Sequence, residues 1–600
     1  MSVVDAGTTP VDLEGLRAKY LEERDKRLRK DGIDQYIGTG GDFSYFAEDP
    51  YVERVERVPI TRTCEVAIVG AGFGGILTAV KLKDAGIDDV LMIEKGGDFG
   101  GTWYWNRYPG LACDMKSYVY LPLLEETGYM PPRSYASGPE IRAHAERIVD
   151  HWSLRDKALF QTLVTRAEWI GASGRWRVST DRGDVIEARY LVTANGPLSR
   201  PKLPGIPGIA GFRGHTFHTS RWDYAYTGGG PDGNLTGLKG KRVAIIGTGA
   251  TGIQCIPHLA ASADHLYVVQ RTPSGVDIRQ EVPTDPEWAA SLKPGWQKEW
   301  IDNFNALTSG GAAERDLIED GWTFLFKKIA AAAATASGPD AMLQILHAAE
   351  VADAEKMNEI RARIDAIVAD PATAERLKPW YRRFCKRPVF HDGYLETFNR
   401  DNVTLLDTDG RGVEAVTETG IRVGGVEYEV DCIVFASGFE VGTDYIRRAG
   451  YDIVGRGGLS LQDKWSHRFS TFHGMHVHGF PNLFLHQNAQ AALPANFCHG
   501  LAEGAKAIAA ILGHAQALDR PVVEATQDAE DAWVAHCGEV AANLVPFFEQ
   551  CTPGYYNLEG HLTQEAAQGF GYGAGAAAFF HLKDQWLADG RFAGLEFSTG

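Results

Sequence analysis

Short apolar runs set the framework of this chain. Cys64–Val69 (CEVAIV) is a continuous apolar run of strand length. A glycine-rich turn follows, then apolar positions at helical spacing over Ile76–Ala85, then a second run at Val90–Glu94. The same order returns at Arg242–Ile246, Ile253–Ala261 and Leu266–Gln270. Uninterrupted strands alternating with helices predict a parallel sheet covered on both faces, hence an α/β chain with two Rossmann-like units. Between about 283 and 383 the strand signals give way to stretches such as KKIAAAAATA and VADAEKMNEIRARIDAIVAD, which predict a helical insertion in the second unit. Strand signals resume at Val403–Leu406 and at 431–439 (DCIVFASGF). Near the start, Leu13, Leu16, Tyr20 and Leu28 recur at helical spacing among charges, predicting an amphipathic extension helix over 11–30 that docks on its own chain or on a second copy.

Composition narrows the class. A chain of 600 residues exceeds one ordinary core and predicts two or three domains. Its net charge of −18 argues against general affinity for nucleic acid or anionic membrane. No apolar run approaches the ~20 residues of a membrane span, and no basic segment followed by an apolar one marks a secretory signal. Eight scattered cysteines, none in C-x-x-C, predict reduced thiols in a cytoplasmic protein and no metal site.

The turns carry the chemistry. Gly70, Gly72 and Gly75 fit G-x-G-x-x-G between a strand and a helix. Phe73 stands where the helix N-terminus offers N–H groups to phosphate, and Glu94, 24 residues after Gly70, can accept from a ribose diol. The second loop, Gly247-Thr248-Gly249-Ala250-Thr251-Gly252, has the same spacing. Its strand ends in Gln270-Arg271-Thr272, not in an acid. Arg271 suits a 2′-phosphate that a carboxylate would repel. One acidic and one basic loop suggest FAD first and NADPH second. The expected organisation is an N-terminal extension (1–62), an FAD-binding domain in two parts (63–200 and 394–520), an NADPH-binding domain (201–393), and a C-terminal segment (521–600) near substrate and cofactor.

Two stretches make the chain recognisable. GGTWYWNRYPG, after Glu94 and Lys95, and FRGHTFHTSRWD (212–223) resemble the Baeyer–Villiger monooxygenases, a class of flavoproteins. Phe212, Gly214, His218, Trp222 and Asp223 match the family's F-x-G-x-x-x-H-x-x-x-W motif followed by Pro or Asp. The resemblance runs from about residue 60 to about 485, includes FASGF (435–439) and GFPNLF (479–484), and extends to the N-terminal extension carried by a subset of the family. It implies that NADPH reduces FAD, that reduced flavin and O2 give a flavin peroxide, and that one oxygen is inserted beside a ketone carbonyl to give an ester or lactone, with sulfides oxidised as well. It implies contacts to cofactor from Lys95, Gly101, Thr102, Trp103, Asp114, Tyr120 and Val164. It places Lys386 with Arg271, Thr272, Thr248 and Thr251 at NADPH, Arg387 as the catalytic cation, and Asp114 as the acid hydrogen-bonded to it. The motif itself is expected to be a hinge between domains. Bulky, cyclic or aromatic ketones are the expected substrates, and a monomer or homodimer the expected assembly.

The chain departs from the family after GFPNLF, where it reads HQNAQAALPANF. FFEQCTPGYYNLEG (547–560) is expected to take over part of that region. A flavin monooxygenase acting on nitrogen or sulfur remains the alternative at this point. A flavin disulfide reductase needs two cysteines beside the flavin, and Cys113 stands alone near the first loop.

Overall fold

Thr61–Val69 pairs in parallel with Val90–Ile93 on one side and Val185–Thr193 on the other. Val66, Ala67 and Ile68 are wholly buried, as a strand covered on both faces requires. The computed structural model describes residues 11–309, 311, 313–542, 544–567 and 569–599; the first ten residues of the expected extension lie outside the described residues. The first sheet has eight strands. Val164–Ile170 and Arg175–Thr180 form an antiparallel meander into Val185–Thr193, and Leu483–Leu485 returns beside that strand. Phe73–Asp84 packs against the long helix Phe497–Ala517.

The second sheet has five strands, all parallel, in the order Val403–Asp407, His265–Gln270, Arg242–Ile246, Cys432–Phe435 and His215–His218. The α/β class with two Rossmann-like units therefore holds. One boundary moves: Val403–Asp407 and Cys432–Phe435, assigned from sequence to the second part of the first unit, extend the second sheet. An apolar run predicts a strand but not its partner. The first sheet is re-entered only at Asp452–Val454.

The insertion is helical, with Pro286–Ser291, Trp296–Thr308, Thr323–Thr335, Ala341–Ile367 and Pro371–Leu377. The extension helix spans Leu13–Arg27, capped by the Asp12 carboxylate accepting from the Gly15 N–H. It docks on Ala341–Ile367 of its own chain through an Arg17–Glu350 ion pair. Leu28, expected on its apolar face, lies past its end and is 43% exposed. Tyr20 and an internal Glu23–Arg27 pair are buried in its place.

The cysteines correct the expectation of eight free thiols. Cys385 and Cys551 form a disulfide across 166 residues, while Cys64, Cys113, Cys255, Cys432, Cys498 and Cys537 are buried and unpaired. A pair so distant in sequence leaves no local spacing to read. Among the described residues no helix is long and apolar enough to cross a membrane.

Candidate active site

The first glycine loop opens onto a cleft of about 1010 Å³. Gly70, Gly72, Phe73, Glu94, Lys95, Gly101, Thr102, Trp103, Tyr120 and Val164 all line it; Gly75 and Asp114 do not. Sequence reasoning missed Asn195, Tyr451, His486, Cys498 and Leu501 on the same wall. Three of these come from past residue 485, where the motifs legible in the sequence stop. Glu94 organises the loop: its two carboxylate oxygens accept from the Ala71 and Gly96 N–H groups, each at 2.8 Å. Each oxygen keeps a lone pair for a ribose hydroxyl. Gly101 (φ +55°) faces Gly72 so closely that a Cβ would stand 2.7 Å from the Gly72 Cα. No side chain fits there, and the two backbones form a smooth cleft floor. Trp103 is fixed by its Nε1–H donating to the Tyr120 hydroxyl at 3.0 Å. Among the described residues Cys498 is the only cysteine on the cleft wall, so the Cys385–Cys551 disulfide does not make this a dithiol centre.

The second loop repeats the geometry between Arg242–Ile246 and the helix Ala250–Ser262. A Cβ on Gly249 would meet nothing within 4 Å. No protein neighbour demands glycine there, and the bare backbone at a helix N-terminus suits close approach of a phosphate. The Thr248 hydroxyl donates to the Thr272 carbonyl at 3.2 Å, joining the loop to the end of His265–Gln270. Arg271 donates to Gln35 and, at 3.0 Å, to Glu559. Lys386 is close enough for Arg271 and Glu559 to act on it. Burial is the main cause that pulls its ammonium down to about 8.

The third locus is the run from Trp103 to Tyr120, which leads from the cleft to Arg387. Asp114 is buried, and its Oδ1 has no hydrogen-bond partner. Burial pushes its carboxyl up to about 6, against the pull of Arg387 and Arg279. Burial acts to lower the Arg387 pKa, but Asp114 and Tyr556 and Tyr555 outweigh it, so the guanidinium stays charged. The expected Asp114–Arg387 hydrogen bond is not formed. Trp322, from the helical insertion, donates its Nε1–H to the Asp114 carbonyl at 2.9 Å and stacks under Arg387 at 5.3 Å. A lone tryptophan in a helical stretch carries no signal of that role.

The raised carboxyl has a signed consequence. The folded chain binds the Asp114 proton more tightly than the unfolded chain does. That contribution to stability is present below the usual carboxylate pKa and is lost as pH rises through about 6. Asp114→Asn is therefore expected to stabilise the protein at pH ~8 by about 1–3 kcal/mol while slowing turnover about tenfold or more. Wild-type activity is expected to fall below pH ~6 as Asp114 takes up its proton, and that fall to be absent from the variant. Thermal melts and a pH–rate profile check both.

Residues 64–282 match the family model described as Pyridine nucleotide-disulphide oxidoreductase. A Baeyer–Villiger monooxygenase of Streptomyces coelicolor is 50% identical over 96% of this chain and 96% of its own length. The polycyclic ketone monooxygenase structure from the thermophilic fungus Thermothelomyces thermophila superposes with a TM-score of 0.91 at 41% identity, over 98% of this chain and 99% of that one. The structure of OTEMO in complex with FAD and NADP gives 0.73 at 28% identity, over 90% and 100%. The chain belongs to the Baeyer–Villiger monooxygenases.

In this Baeyer–Villiger monooxygenase the motif FRGHTFHTSRWD, expected to be a hinge, is built into the second sheet. His215–His218 is the edge strand of the second sheet, and Thr219–Arg221 is a tight helical turn. His218 is fully buried and accepts from the Ser220 N–H at 3.1 Å. The Trp222 Nε1–H donates to the Thr227 hydroxyl, and its ring meets Phe217 edge-on at 5.1 Å. Asp223 pairs with His215 at 2.9 Å and caps the next turn at Tyr226. Gly214 lies so near Phe212 and the Asp431 carbonyl that a Cβ would clash with both. Arg221 extends the motif to the first cleft, stacking on Trp105 at 3.8 Å and donating to the Glu48 carbonyl.

Proposed function

We propose that this monooxygenase uses NADPH and O2 to insert one oxygen atom beside the carbonyl of a bulky, cyclic or aromatic ketone, giving an ester or lactone, and that it also oxidises sulfides. The observation that carries the reading is Arg387, a permanent cation beside buried Asp114, on a run of chain continuous with the first cleft. A lone nucleotide-binding fold would not require a buried acid within electrostatic reach of a buried cation. The likeness to a polycyclic ketone monooxygenase over nearly the whole chain supports the substrate class.

FAD is assigned to the first cleft, through Gly70, Gly72, Phe73, Gly75, Glu94, Lys95, Gly101, Thr102, Trp103, Tyr120 and Val164. NADPH is assigned to the second loop, through Gly247, Thr248, Gly249, Thr251, Gly252, Arg271, Thr272 and Lys386. The bare Gly72–Gly101 floor beside the Glu94 carboxylate and the open space at Gly249 suit the two groups, and OTEMO is solved with both. Bound there, FAD would supply acceptance of hydride from the nicotinamide and activation of O2. The protein's part is positional and electrostatic. Arg387 holds positive charge where negative charge develops on oxygen, buried Asp114 acts on it electrostatically with no hydrogen bond between them, and Trp322 supports the guanidinium from beneath. The motif residues Phe212–Asp223 join the two sheets at the hinge on which cofactor and substrate exchange places. Residues 63–200 with about 452–520 form the FAD unit, 201–440 the NADPH unit, and 521–600 reaches the NADPH unit through Glu559 on Arg271. The protein is a cytoplasmic monomer or homodimer.

Ketone-stimulated NADPH oxidation, with the product identified over a panel of linear, cyclic and steroidal ketones, tests the reading. A lactone from at least one polycyclic ketone is expected. Turnover that no ketone accelerates, with no lactone formed, would refute it.

A further inference from the structure

Glu559 stands where the cofactor's distinguishing phosphate is expected. Its Oε2 accepts from the Arg271 guanidinium at 3.0 Å, and its Oε1 accepts from the Tyr36 hydroxyl at 3.3 Å. The carboxylate is almost wholly buried, with a side chain 4% exposed. Arg271 also donates to the Gln35 amide oxygen, so both of its terminal nitrogens are engaged by the protein itself.

The contact is built, not incidental. Glu559 lies on a segment from the C-terminal region, reached from the Cys385–Cys551 disulfide, whose other half precedes Lys386 and Arg387. The Asn557 amide knots that segment. Its Oδ1 accepts from the Gly554 and Gly560 N–H groups at 3.0 and 3.1 Å, and its Nδ2 donates to the carbonyls of Phe548, Cys551 and Thr552. The knot holds Leu558 (φ +52°) and Glu559 (φ +57°) in the left-handed region, a cost that a surrounding structure must offset. His561 donates to the Arg29 carbonyl at 2.6 Å, which ties the segment to the N-terminal extension that supplies Gln35 and Tyr36.

A guanidinium paired with a buried carboxylate cannot also give its fork to a phosphate, and two anions at one cation repel. We propose that Glu559 is a specificity-determining residue: it competes with the 2′-phosphate of NADPH for Arg271, and so weakens NADPH binding and narrows the preference over NADH. This rests on the reading that Arg271 receives the 2′-phosphate. If Glu559 holds Arg271 about nine-tenths of the time, affinity for the phosphate is reduced about tenfold.

Calorimetric titration with adenosine 2′,5′-bisphosphate and with 5′-AMP separates the two levels without turnover. Glu559→Gln is expected to bind the bisphosphate about tenfold more tightly and 5′-AMP unchanged. Unchanged or weaker bisphosphate binding overturns the proposal. Should Glu559→Gln fail to fold, Glu559→Asp, which draws the carboxylate back by one methylene, gives the same reading with a smaller gain, and no gain overturns it. Arg271→Ala tests the underlying reading: the bisphosphate should lose its advantage over 5′-AMP. Retention of that advantage would place the phosphate elsewhere and sink both.

Discussion

Arg387→Ala is expected to lower ester formation by a factor of at least about 10²–10³ while NADPH is still consumed. The guanidinium acts on Asp114 together with Arg279 and alone lies over Trp322 among the described contacts, so its loss removes the field that favours the developing oxyanion. Neither the glycine loops nor Arg271 depends on it. The expected phenotype is thus uncoupling: NADPH oxidation continues, the product becomes hydrogen peroxide, and ketone goes unconverted. Arg387→Lys keeps the charge as a point without the planar fork and without the same stacking on Trp322, so partial recovery of ester is expected. Parallel measurement of nicotinamide absorbance, peroxide and ester checks each part. Equal loss of NADPH oxidation and ester would instead place Arg387 at the nicotinamide.

Removing the Cys385–Cys551 disulfide is expected to carry the largest cost in stability. Its closed loop spans 166 residues, for which the chain-entropy argument gives about 5 kcal/mol. Residual contacts in the unfolded chain reduce such values, so Cys551→Ser should cost about 2–4 kcal/mol. In a chain with several structural units this appears as a lowered thermal midpoint and a shorter half-life on heating. The bond also fixes the root of the segment that carries Tyr555, Tyr556 and Glu559 against the loop before Val389–Phe390 that carries Lys386 and Arg387. Treatment with a dithiol reductant, which takes up the disulfide's bond as two protein thiols and one oxidised dithiol, should reproduce the variant's melting curve. A wild-type midpoint unaffected by reductant would show that the bond contributes nothing to the fold.

Both glycine loops were legible because the chemistry is local: strand, turn, helix and terminal side chain fall within about 30 residues. Ten residues assigned to the first cofactor do line one cleft, and the buried parallel strands read as apolar runs because both their faces are covered. What escaped is what the chain brings together from afar. His215–His218 is a short, polar-looking edge strand whose partner lies more than 200 residues on. The disulfide, Trp322 under Arg387, and Glu559 on Arg271 each join segments separated by at least 65 residues, and none has a periodicity or spacing of its own. Val164–Ile170 could have been read: its burial alternates along much of its length, the signal of a strand with one face exposed.

The central claim is that this chain places one atom of O2 beside a ketone carbonyl. The most direct test is turnover of a polycyclic ketone with NADPH under isotopically labelled oxygen gas, followed by mass spectrometry of the product. The account predicts a lactone carrying a single labelled atom in the ring, with the carbonyl oxygen unlabelled. A lactone without label, or label recovered only in peroxide while the ketone is untouched, would contradict it.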